Sequence, residues 1–232
     1  ILMLPIRYDA SSPRPYPTGE DVVEAGADPV RVWIPAEPPH ASPVLVLGNS
    51  QTPEIELDLE AAAADGVPVY QRKGGGGAVY LTAGCVCVAL RFRKNKAWAI
   101  ADYFAAGNGL LQSAFAGAYG IHLAQRGISD LAFVEERHGK WEERKVAGSS
   151  LYMPRDCALY LASILVDARL EALDRYLRHP SREPDYRGRR AHADFVTNLA
   201  ALAKGATPAA VRDLLAREAA RPDFRANLQE AS

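Results

Sequence analysis

Two short stretches hold residues whose types and spacing could do chemistry. The first runs Arg72, Lys73, Gly74, Gly75, Gly76, Gly77, and continues into Ala78 and Val79. Glycine loses more backbone entropy on folding than any other residue, so four in a row between apolar segments are costly. Such a run suits a backbone that must approach a ligand closely or turn N–H groups toward an anion, and Arg72 and Lys73 add positive charge. A plain hairpin turn is the other reading of the same residues. The second stretch runs Arg144, Lys145, Val146, Ala147, Gly148, Ser149, Ser150. Lys145 reads either as one more solvated charge or as a site cation beside a small-residue turn at Gly148 and Ser149. A strand starting at Asp130 would pair with the Lys145 strand through the RHGKW turn, bringing a carboxylate and an ammonium to one edge. A phosphate cradle, a cation and a carboxylate able to hold Mg²⁺ are the parts that activation of an acid by ATP requires.

The glycine run is not a common nucleotide loop. The GxxxxGK[ST] pattern is missing, and GxGxxG fails because Val79 falls where its last glycine should stand. Both motifs lead from a strand into a helix. Here strand-like VPVY (67–70) leads through glycine to strand-like AVYL (78–81).

The elements that must position these residues read as a mixture. Strands are expected at 30–34, 44–47, 67–70, 78–82, 85–92, 130–135, 142–147 and 160–166. Helices are expected at 56–65, 170–177, 195–202 and 209–220. The last has Thr207 as its cap and Pro208 at its first position. A long helical pattern covers 96–126, with Gly107 and Gly109 as interruptions and Gly127 as its stop. Prolines at 35, 38, 39 and 43 predict an extended connection, and residues 180–192 a polar loop. Without a regular βαβ rhythm, the class is α+β rather than a doubly wound sheet.

Net charge is −1, which gives no electrostatic case for nucleic acid or membrane binding. No apolar run nears the roughly 20 residues of a spanning helix, and the proline-broken opening does not read as a secretory signal. Three cysteines are an odd, low count that suits a reducing compartment, so a cytoplasmic location is expected. Cys85 and Cys87 alternate on one strand face and read, with Cys157, as structural thiols; Cys157 falls near the expected site.

Five stretches in order, LGNSQTPE (47–54), VPVYQRKGGGGAVY (67–80), GISDLAF (127–133), RKVAGSSLY (144–152) and YLASILVD (160–167), resemble the lipoate–protein ligase and octanoyltransferase family. The resemblance implies a fold of mixed, mostly antiparallel β-sheets flanked by helices, shared with biotin–protein ligases. It implies a catalytic portion over 1–204 with a short helical appendage over 205–232. The glycine loop matches the family's RRxSGGGxV segment, which cradles acyl group and phosphates: Arg72 is its second, phosphate-facing arginine, Gln71 replaces the first, and Gly74 replaces the serine. Lys145 matches the KxxG lysine that contacts the acyl carbonyl and phosphate, with Gly148 and Ser149 beside it. Asp130 matches the aspartate near the metal and phosphates, and Ser129 replaces the preceding asparagine. The family's HDxGN segment is departed from at Leu81, Thr82, Ala83 and Cys85, and only Gly84 is retained.

The family runs two chemistries. Ligases form an acyl-adenylate from ATP, with Mg²⁺, and lipoate, then acylate a lysine of a lipoyl carrier domain, some with a small accessory subunit. Octanoyltransferases use a cysteine nucleophile. This chain has Ile128, Ser129 and Asp130 at one branch's cysteine position and no cysteine in the other's region, which favours the ligase. A thiol-dependent transferase and a non-catalytic carrier binder are the rivals. Arg182, Arg187, Arg189, Arg190 and His192 form a basic cluster that reads as a solvated loop, with closure over phosphates or docking of an acidic carrier as further roles.

Overall fold

The computed structural model describes residues 13–16, 19, 22, 27–35, 43–137 and 139–228. The connection through Pro38 and Pro39 and the opening segment lie outside these residues. Ten strands are described: β1 (Arg14–Pro15), β2 (Val30–Trp33), β3 (Val44–Leu47), β4 (Val69–Gln71), β5 (Val79–Leu81), β6 (Cys85–Arg93), β7 (Leu123–Arg126), β8 (Asp130–Arg137), β9 (Lys140–Tyr152) and β10 (Cys157–Leu165). The helices are α1 (Pro53–Glu56), α2 (Leu59–Ala64), α3 (Ile100–Tyr119), α4 (Leu173–Tyr176), α5 (His192–Phe195), α6 (Leu199–Leu202), α7 (Pro208–Ala219) and α8 (Pro222–Arg225).

The strands form two sheets. One has the order β2-β6-β10-β9-β8-β7 and is antiparallel throughout. The other has the order β1-β4-β3-β5, with β4 parallel to both neighbours and β5 antiparallel to β3. Period-two alternation decides which layer each residue joins. On β6, Val86, Val88, Leu90 and Phe92 enter the core under α3 and α7, while Cys87 and Ala89 face the small sheet. On β3, Val44 and Val46 face the large sheet, while Leu45 and Leu47 face α2, Leu173 and Phe195. The result is four layers, with the two sheets inside and helices outside.

Several elements differ from expectation. The long helix ends at Tyr119 because Gly120 takes φ +67 and its N–H bonds back to Ala116; β7 then fills the space before Gly127. Gly107 does not interrupt the helix: a Cβ there would lie 2.6 Å from the Tyr160 ring, so it lets β10 approach. The helix at 56–65 is two turns separated by Leu57, which bridges to Leu177. The helix at 195–202 is likewise split, because Val196 leaves helical geometry to pair with Lys145. Gly148, Ser149 and Ser150 form no turn and continue β9 against β10. Thr207 caps α7 as expected, accepting from the Ala210 N–H. Val211, Leu214 and Leu215 of α7 and Leu228 are buried in the same core as α3.

Candidate active site

Residues 71–77 are shaped mainly by polar bonds to backbone carbonyls. Arg72 is buried, and its guanidinium donates to the carbonyls of Gly75 (2.8 Å), Gly77 (2.8 Å) and Val46 (3.3 Å). The loop folds around this cation, with Gly76 at φ +93, a conformation suited to glycine. Gln71 donates to the carbonyls of Gly48 and Asn49, and the Asn49 N–H donates to Gly74. A Cβ on Gly48 would sit 2.1 Å from the Gly76 oxygen, so the 48–51 turn and the glycine loop are packed backbone to backbone. Arg72 thus ties the loop together through its carbonyls while its side chain also walls the cavity beside the loop.

The opposite wall is the β8–β9 hairpin. Asp130 pairs with Gly148, Leu131 with Ala147 and Ala132 with Lys145, so Val146 is an extra, bulged residue. Leu131, Val146 and Ala147 are all buried in the helix-side core. Burying an aliphatic side chain such as Val146 stabilises by about 1.5–3 kcal/mol. One ladder hydrogen bond is worth about 0.5–1.5 kcal/mol, so the bulge is held. The bulge leaves Lys145 on the same face as Asp130 although Val146 and Ala147 both point inward. Lys145 Nζ then lies 2.8 Å from Asp130 Oδ1. Gly148 makes this possible, because a Cβ there would fall 2.5 Å from Lys145 Nζ. The Lys145 carbonyl is taken by the Thr197 N–H at 2.9 Å.

Asp130 is almost buried, and its second oxygen accepts from the Tyr186 hydroxyl at 3.0 Å. Burial, and then the neighbouring carboxylate, push the Tyr186 phenol up, which keeps it a donor. Tyr186 comes from the expected solvated loop, which folds inward at Tyr186, Arg187 and Arg190 while Arg182 and Arg189 stay exposed. Arg187 is 4% exposed, stacks 4.9 Å from the Phe195 ring, and has a buried Nη2 without a hydrogen-bond partner. Arg190 donates to the carbonyls of Glu143 and Tyr186. Ser181 binds the buried Glu56 carboxylate, fixing the far end of the loop.

Two connected cavities result. A slot of about 130 Å³ lies between the sheets, walled by Trp33, Val46, Val79, Leu81, Cys87 and Leu161 among others. A cleft of about 780 Å³ opens beside it, with Arg126, Arg178, Arg182, Arg187 and His192 in its walls. Gly76, Gly77, Ala78, Val79, Asp130, Lys145 and Gly148 wall both, while Arg72 and Ser149 wall the slot alone. Gly74 and Gly75 wall neither. Ser163, on β10 opposite Gly148 and within the YLASILVD stretch, also walls both, and no role in the site is read for it from the sequence. Tyr186 carries no local signal either, since its partner is 56 positions away.

The thiols are buried, and burial pushes all three above the usual cysteine range. Cys87 walls the slot and Cys85 the cleft. Cys157, expected near the site, walls neither and sits opposite Arg93 at the far end of β10. No helix among the described residues is long and apolar enough to cross a membrane.

This architecture is that of the lipoate–protein ligases. Similar solved structures include a bi-partite lipoate protein ligase with its E2 lipoyl domain from Thermoplasma acidophilum, at TM-score 0.68 and 22% identity over 89% of this chain and 75% of that one. A lipoate-protein ligase A bound with ATP matches at TM-score 0.68 and 20% identity over 91% and 80%. Protein Ta0514 from T. acidophilum, solved with bound lipoic acid, matches at TM-score 0.64 and 20% identity over 87% and 77%. The sequence model of the lipoyl protein ligase A/B catalytic domain matches residues 39–220, and the chain belongs to that family.

Proposed function

We propose that this protein activates lipoate, or octanoate, with ATP as the acyl-adenylate and passes the acyl group to a lysine of a lipoyl carrier domain. The observation that carries the reading is the junction of the two cavities. Lys145 and Asp130 stand where an apolar slot meets a cationic cleft. An acyl chain in the slot would present its carboxylate there, and a nucleotide in the cleft would present its α-phosphate. Similar structures solved with ATP and with lipoic acid support the choice of these two substrates.

In the first step a carboxylate oxygen bonds to the α-phosphorus while the bond from phosphorus to pyrophosphate breaks. Lys145 stabilises the charge gathering on the phosphoryl oxygens, aided by N–H groups of Gly76, Gly77, Ala78 and Val79. Arg72 contributes from behind by fixing the loop. In the second step the carrier lysine's neutral amine attacks the acyl carbonyl. A C–N bond forms, the C–O bond to AMP breaks, and the amine's proton leaves to solvent. Proximity does much of the work, because the mixed anhydride is already reactive. Mg²⁺ would neutralise phosphate charge. Asp130 supplies one carboxylate, which suits a cation held mostly by phosphate oxygens. Among the described residues no cluster of three or more His, Cys, Asp or Glu could hold a metal unaided. Within this reading residues 1–204 carry the chemistry, and α7, in the appendage over 205–232, packs against α3. The archaeal relative solved with its E2 lipoyl domain supports a lipoyl carrier as partner; a small accessory subunit is a further partner within the same proposal.

Lipoate-dependent exchange of labelled pyrophosphate into ATP, with Mg²⁺, tests the reading. Wild type should exchange, alone or with its partner subunit, and Lys145→Ala should lose at least about 10²-fold. Iodoacetamide should leave exchange intact, since the buried, protonated thiols are poor nucleophiles. Carrier acylation that ignores ATP and dies with iodoacetamide would replace the ligase by the thiol-dependent transferase.

A further inference from the structure

Beside the site runs a line of polar groups, buried at Tyr160 and Asn108 and open to solvent at Ile128, that the proposed chemistry does not touch. The Tyr160 hydroxyl, fully buried, donates to Asn108 Oδ1 at 2.7 Å. Asn108 Nδ2 donates to Gln125 Oε1 at 3.1 Å, and Gln125 Nε2 donates to the Ile128 carbonyl at 3.2 Å. Ser149 grips the next residue, its hydroxyl and its N–H both donating to the Ser129 carbonyl, at 2.7 and 2.9 Å. The 127–129 turn so held delivers Asp130 to Lys145.

The relay runs in one direction only. A backbone carbonyl only accepts, so Gln125 must turn its NH₂ to Ile128 and its oxygen to Asn108. Asn108 must then offer NH₂ to Gln125 and oxygen to Tyr160. A phenol in this core stays protonated, because burial pushes Tyr160 well up, so the last donor is always present. Gly107, beside Asn108, is the residue whose missing side chain lets the Tyr160 ring lie against α3. A carboxamide at 1% exposure with both ends engaged is a costly thing to bury for packing alone.

We infer that Asn108 and Gln125 are positioning residues, whose one-directional relay from Tyr160 sets the 127–129 turn and thereby holds Asp130 against Lys145. The consequence for rate rests on the adenylation reading; the consequence for the turn does not. Asn108→Asp keeps the shape but removes the donor to Gln125, so whichever way Gln125 turns, one end meets oxygen against oxygen. Gln125→Glu removes the donor to Ile128 at a half-buried position and is the milder variant.

Three readouts on the full-length chain test this. Single-turnover adenylate formation should slow at least tenfold in each variant, while lipoate affinity measured without ATP stays within twofold. Amide exchange at Ser149 should quicken at least tenfold, while β6 keeps its protection. The double variant should be little worse than the worse single one, as for residues in one network. Leu214→Ala, in the same core but off the relay, serves as the control for lost stability. Wild-type exchange at Ser149 in both variants would overturn the inference, as would equal slowing by Leu214→Ala at matched loss of Tm. A wild type that makes no adenylate would sink the proposed function, and the exchange at Ser149 would then decide the relay alone.

Discussion

The glycine loop and the β8–β9 hairpin face each other across one cavity and are built by opposite means. The loop turns backbone toward the cavity and is held by a cation, Arg72, buried behind it. The hairpin turns side chains toward the cavity and is held by apolar anchors, Leu131, Val146 and Ala147, buried behind it. One wall offers glycine backbone whose path is fixed by the bonds to Arg72. The other offers an ammonium whose direction depends on a bulge and on the missing side chain at Gly148. Complementary failure modes follow: the loop should break through stability, the hairpin through geometry.

Gly148→Ala is the strongest probe of the hairpin. Its Cβ would displace the Lys145 ammonium while the strand, which tolerates alanine, stays paired. Pyrophosphate exchange should fall at least about 10²-fold, with Tm close to wild type; an active variant would show that the Lys145 ammonium does not need the space left at Gly148. Arg72→Ala is the matching probe of the loop. Stripping donors from three carbonyls should cost about 2–3 kcal/mol, seen as a lowered denaturation midpoint before any assay is run. Unchanged stability would mean that the guanidinium serves ligand rather than loop. The finest test compares two glycines at which an added Cβ would meet nothing within 4 Å and whose φ is not positive. Gly77 walls both cavities and Gly75 neither. Gly77→Ala should raise the KM for lipoate or ATP about tenfold, roughly 1.4 kcal/mol, while Gly75→Ala stays within about 0.5 kcal/mol in stability and unchanged in KM. Equal effects would erase the distinction between lining and supporting glycines.

The contrast also explains which parts are legible in the sequence. The glycine run announces itself because its cost is local and compositional. The Asp130–Lys145 hairpin is legible because both strands and the turn between them are contiguous. The loop at 180–192 misleads, since its charges look solvated when counted along the chain. Arg187 and Arg190 are instead folded onto Phe195, and Tyr186 onto Asp130. A charge reversal at Arg187 would therefore report on folding and not on carrier docking.

The mixed α+β class, most strand positions, the capped α7 and the family-like order of motifs follow from the chain's own residue order. Each rests on periodicity or on interactions a few residues apart. Packing in three dimensions was needed to turn Arg72 inward, to bulge β9 at Val146, to keep Gly148 and Ser149 in a strand, and to stand Asn108 and Tyr186 behind the site. Among these, Asn108 and Tyr186 depend on partners 17 and 56 positions away, and no local pattern records which distant group will satisfy a buried donor or carboxylate. That choice is made when the two sheets and α3 pack, because every polar group they enclose must then find its partner within the enclosure.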